Sequence, residues 1–243
     1  MKRAVMTAAL LLALAGLGAA TRPEARRPSP AATANPSPTP SASAANRPYA
    51  LRPVAFAKDF NAYKDCLSTR PARCGNTNAL VWSDGFKDKV ARYLGDRRRT
   101  YLAHPDGREG PDATGMTVAE AMLEVLGGPP DDMQRLGPYY LFTACRAHSC
   151  SEKGLALLGG DGQIVALGIL HYWNLPGEVE QRRCCGSEPD LDIYLRPVDD
   201  ITRVLPTLRD WGQQQAATTY RAAGASVPKL HAIRLFAVRR PAA

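Results

Sequence analysis

Hydrophobic positions along this 243-residue chain change their period near residue 139. Before that point they recur every three or four residues, which predicts helices. After it they run continuously or alternate, which predicts strands. Phe56, Phe60, Tyr63 and Leu67 share one side of a helix over 56–67. Ser83 is placed to cap a second helix, with Phe86, Val90, Tyr93 and Leu94 on one face and Gly95 near its end. Thr117-Val118-Ala119-Glu120 has the form of a capping box. It opens a third helix with Val118, Met122, Val125 and Leu126 inward, stopped by Gly127-Gly128-Pro129-Pro130.

Three strands follow, at 139–144, 154–158 and 163–172. Gly159-Gly160-Asp161-Gly162 supplies a hairpin turn between the last two. Short connections make these an antiparallel meander. Ile164 to Leu170 is apolar on both faces, so this strand should be central and covered on both sides. Leu191 to Leu195 alternates and reads as a fourth strand. Asp199 and Asp200 can start a helix carrying Ile201, Val204, Leu208 and Trp211, with Pro206 expected to kink it. Leu230 to Val238 alternates as a last strand. The predicted fold class is α+β, an antiparallel sheet around the 139–172 meander with helices packed on its faces.

The two ends of the pattern set domain limits. Met1-Lys2-Arg3, the apolar run from Ala4 to Leu17 and the small residues Gly18-Ala19-Ala20 form a secretory signal peptide over 1–20. Its apolar run is too short for a transmembrane span, so none is expected after cleavage. Residues 21–48 are rich in Pro, Ser, Ala and Thr, with a few arginines and no large apolar side chain. They read as a disordered linker. The folded domain is then 49–243. Formal net charge is +8, with Arg97-Arg98-Arg99 as the dense run. These arginines follow a helical stretch, where cations complement the helix dipole. No nucleic-acid motif accompanies the charge, so nucleic acid is not an expected partner.

Export changes the reading of the six cysteines, because thiols oxidise outside the cytoplasm. Cys66 and Cys74 flank a Ser/Thr/Pro/Arg segment and are suited to close a surface loop. Cys184-Cys185 could form a vicinal bridge or pair elsewhere. The most suggestive stretch is Cys145-Arg146-Ala147-His148-Ser149-Cys150, set between two apolar strands. If oxidised, it becomes a small ring with an imidazole near its tip, and a closed ring gives up little entropy on docking. Arg146, His148 and Ser149 can all donate hydrogen bonds there. A Cys–His nucleophile would need a free thiol, and a structural zinc would need a fourth ligand besides His148 and the two thiols. No phosphate loop, G-x-S-x-G or H-E-x-x-H occurs. Of the four histidines, His104, His148, His171 and His231, only His148 has a suggestive setting. No enzymatic activity, metal or cofactor is expected. The bland alternative is a disulfide that only staples a strand connection.

The Thr143-Ala144-Cys145 strand end, the Arg146-Ala147-His148-Ser149-Cys150 loop and the apolar strand after it resemble the inhibitor of vertebrate lysozyme family. That family is periplasmic in Gram-negative bacteria and carries a disulfide-closed Cys-Lys-Pro-His-Asp-Cys loop that plugs the lysozyme active site. The resemblance covers about residues 139–172. It implies a Cys145–Cys150 bridge, an α+β fold, and His148 facing the catalytic carboxylates of lysozyme, with Arg146, Ala147 and Ser149 completing the binding loop. Arg146 keeps the charge of the family lysine, Ala147 replaces the proline and Ser149 replaces the aspartate. Family members can be dimeric, so a homodimer belongs to the same expectation. The rival expectation is an envelope protein whose loop binds cell-wall glycan or a bacterial lytic transglycosylase.

Overall fold

The computed structural model describes residues 47–54, 62–99, 101, 116–172, 189–198, 200–222 and 229–238. The signal peptide, almost all of the linker, the first half (56–61) of the 56–67 helix, His104 and the Cys184-Cys185 pair lie outside the described residues.

The apolar runs after residue 139 form the strands β3 (Tyr139–Arg146), β4 (Ser149–Leu158) and β5 (Ile164–His171), paired antiparallel as a meander. Every residue of β5 is buried, as its two-sided apolar pattern requires. Two three-residue strands, β1 (Leu51–Pro53) and β2 (Gln134–Leu136), extend the sheet beyond β3. On the other side stands β6 (Asp190–Leu195), antiparallel to β5. The long helix α5 (Ile201–Ala222) then crosses over, so β7 (Ala232–Ala237) lies parallel to β6. The sheet among the described residues has seven strands in sequence order, β1 to β7, and the architecture is α+β.

Side chains alternate across this sheet and divide the core in two. Phe142, Ala156, Leu167, Ile169 and Tyr194 face α2 (Thr77–Trp82), α3 (Phe86–Leu94) and α4 (Val118–Leu126). Leu141, Leu155, Leu157, Leu191 and Ile193 face Val204, Leu208 and Trp211 of α5. Gly154 lets α4 sit against the sheet, since a Cβ there would fall 2.7 Å from Val125 Cγ2. The capping box of α4 is present, with Thr117 Oγ1 accepting from the Glu120 N–H and Glu120 Oε2 accepting from the Thr117 N–H.

Several expectations need correction. Helix α1 (Ala62–Asp65) stops before Cys66. The chain turns there because Cys66 is bridged to Cys74 and Leu67 pairs with Arg70, which leaves Leu67 exposed rather than inward. Ser83 ends α2 and does not open α3. Its extended backbone halts the first helix, and Gly85 at φ 75° begins the next. Helix α5 runs from Ile201 to Ala222 with Pro206 inside it, so the proline does not end the helix. Arg97 does donate to the Leu94 carbonyl at the end of α3, as the dipole argument expects, but Arg99 is drawn into a separate ion pair with Asp192.

Candidate functional site

The cysteine-bracketed segment is less a loop than a hairpin tip. Strands β3 and β4 run past both cysteines and pair Arg146 with Ser149, so Ala147 and His148 alone form the turn. A register shift between Cys145 and Arg146 lets the strands meet across so short a connection. Cys145 and Cys150 are joined, as are Cys66 and Cys74. His148 adopts φ 63°, the left-handed region, and among described non-glycine residues it alone does so. Ala147 and His148 are exposed, while Cys145 is buried at the base.

The base is seated on the segment that ends α4. The Cys145 N–H donates to the Pro129 carbonyl at 3.2 Å, and Pro130 pairs with Ala144. Gly128 lies directly under the turn. A Cβ there would sit 2.1 Å from the Cys145 carbonyl oxygen and 2.5 Å from the Ala147 nitrogen. The Gly127-Gly128-Pro129-Pro130 stretch thus does two jobs. It stops the helix, and it leaves room for the hairpin backbone.

Arg146 does not point outward with His148. Its Nη1 lies 2.9 Å from Glu152 Oε2, and its Nε lies 3.2 Å from Glu124 Oε2 on α4. Only 14% of its side chain is exposed. Glu152 is buried on β4, and burial pushes its carboxyl up from the ordinary carboxylate range while Arg146 and Ser149 pull against that shift. The Ser149 hydroxyl also lies 3.2 Å from the Ser151 hydroxyl. Of the four predicted loop residues, Ala147 and His148 form the exposed tip. Arg146 and Ser149, on either side of them, interact with the same buried carboxyl.

Behind Glu152 lies a polar cluster on the face of β5, β6 and β7 that Ile169 and Tyr194 share, the face opposite α5. Asp190 and Asp192 are fully buried. Arg234 binds both, with Nη2 2.9 Å from Asp190 Oδ2 and Nε 2.6 Å from Asp192 Oδ1. His231 Nδ1 is 3.0 Å from Asp190, while Arg99 and the Tyr101 hydroxyl reach Asp192 at 3.1 and 2.7 Å. Tyr101 also meets the Tyr194 hydroxyl. The His171 ring is buried, with Nε2 3.3 Å from Arg234 Nη2 and 3.7 Å from Asp192 Oδ2. Burial opposes the charge of Asp192. The His171 ring, the Tyr101 hydroxyl and the Arg234 guanidinium outweigh it and hold the carboxyl below its ordinary range.

This cluster was missed at the level of sequence. Leu191-Asp192-Ile193 reads as a strand with one wet face, and only the pairing of Asp190 and Asp192 beside Ala232 and Arg234 on β7 shows that face to be closed. No group of His, Cys, Asp and Glu among the described residues is arranged to hold a metal ion. No helix among them is long and apolar enough to cross a membrane. No protein-family model, curated protein or solved structure matches the chain.

Proposed function

We propose that this protein is exported to the periplasm and inhibits lysozyme, inserting the Cys145–Cys150 hairpin into the active-site cleft with His148 leading. The observation that carries the proposal is the exposed imidazole at the left-handed tip of a disulfide-closed two-residue turn. Two disulfides suit an oxidising compartment.

The chemistry fits the target. Lysozyme cleaves glycosides with two carboxyl groups flanking the bond, one of them kept protonated as the acid. An imidazole between those groups can hydrogen-bond to either, and hydrogen bonds to an ionised group are the strong kind. Its ring would occupy the position of the scissile sugar, so inhibition would be competitive and need no reaction. The ring of residues 145–150 is already ordered by its disulfide, its seat on Gly128 and the Arg146 ion pairs. Little conformational freedom is therefore left to lose on docking.

The test is inhibition of a vertebrate-type lysozyme by the signal-free protein, with and without reductant. Inhibition that reductant abolishes is the expected result. No inhibition at micromolar protein rejects the lysozyme reading and moves the search to lytic transglycosylases and wall glycan.

A further inference from the structure

We infer that Glu152 is the positioning residue of the His148 hairpin, holding it from within the sheet through Arg146 and Ser149. Four observations converge on this carboxyl. It is buried on β4, three residues beyond Ser149, with 5% of its side chain exposed. The residue just before the turn, Arg146, donates to it at 2.9 Å. The residue just after the turn, Ser149, interacts with it as well. Behind it stands His171, one step along β5 from the Lys153–Leu170 pair and itself buried.

A short ring closed by a disulfide is constrained in shape, yet it can still rock on its two strands. The disulfide ties Cys145 to Cys150, and the Cys145 N–H on the Pro129 carbonyl holds the base of the ring. The Arg146 guanidinium adds a side-chain tie next to the turn itself. It bridges Glu152 on β4 and Glu124 on α4, so the hairpin is referenced to the sheet and to a helix together. Glu124 has 41% of its side chain exposed and is the screened partner, whereas Glu152 is the buried one. An ion pair inside the protein is costly to form and costly to break, which suits a part that must keep one geometry. Elsewhere on β4 this face carries Gly154 and Ala156 against α4, so the carboxylate is a departure from an apolar row. The hairpin's need for an anchor accounts for it.

The significance for inhibition rests on the lysozyme reading, but the anchoring does not, and the experiment keeps the two apart. Backbone amide order parameters are measured by NMR for the wild type and for Glu152→Gln, which keeps the shape and removes the charge. Expected are values near 0.85 at Ala147, His148 and Ser149 in the wild type, falling below about 0.6 in the variant while β5 stays rigid. Unchanged values at the tip overturn the inference. A loss that spreads equally through β5 also overturns it, since Glu152 would then be serving the core. Should Glu152→Gln fail to fold, Arg146→Lys keeps the charge, loses the two-pronged fork and is read in the same way. No lysozyme enters these measurements, so a wild type that fails to inhibit lysozyme leaves their outcome intact.

Discussion

His148 combines two features that seldom meet in one side chain. It is exposed, and its backbone sits at φ 63°, where a residue with a Cβ pays about 1–2 kcal/mol. Histidine is among the residues more tolerant of that region, yet glycine would be the easier choice for the turn alone. The imidazole therefore points to a use beyond closing the hairpin. His148→Ala should change stability by less than about 1 kcal/mol, since the side chain is exposed and both residues carry a Cβ at this φ, and should abolish lysozyme binding in a titration. A loss of several kcal/mol in chemical denaturation would instead make the residue structural. The exposed His148 was legible from the two cysteines and the flanking apolar runs. The inward turn of Arg146 was not, because its partners Glu124 and Glu152 come from another helix and from the strand register. The setting of His171 was hidden for the same reason.

Elements long enough to show a full period were readable. Helix α4 announced itself by its capping box and its Gly-Gly-Pro-Pro stop, and β5 by an unbroken apolar run. The three-residue strands β1 and β2 and the six-residue α2 are too short to show periodicity, and pairing across the sheet determines them. The seat of the hairpin is also an element-scale feature. Gly128→Ala puts a methyl group against the backbone of Cys145 and Ala147. Overpacking of this kind should cost about 2 kcal/mol in urea denaturation, and a neutral result would mean the hairpin is free to lift. The second ring packs against the β4–β5 turn, where Lys89 Nζ donates to the Ser68 and Gly162 carbonyls. Replacing Cys66 and Cys74 together by serine should cost about 2.5 kcal/mol by the chain-entropy relation, leaving the His148 hairpin able to bind. Loss of binding with the fold retained would show that the two rings are coupled.

Across the whole molecule, the sheet carries its buried charges at the end where the hairpin sits. Glu152, His171, Asp190, Asp192 and Arg234 follow one another across β4 to β7. Asp192 titrates below its unfolded value, so its contribution is fully present above about pH 4 and is lost as pH falls through the lower folded value. Asp192→Asn should cost about 3 kcal/mol near pH 7, because Arg234 loses half its pairing. It should also flatten the loss of stability in acid. A variant whose acid unfolding keeps the wild-type steepness would contradict this assignment. The α+β class and the central meander were legible in the hydrophobic pattern, while the parallel β6–β7 pair was not, since it depends on how α5 crosses the sheet. The most direct test of the central claim is competition for the lysozyme cleft. An N-acetylglucosamine oligomer bound in that cleft is titrated with the wild-type protein and with His148→Ala. The account predicts displacement by the wild type and none by the variant. Simultaneous binding of the oligomer and the wild-type protein, or equal displacement by His148→Ala, would contradict it.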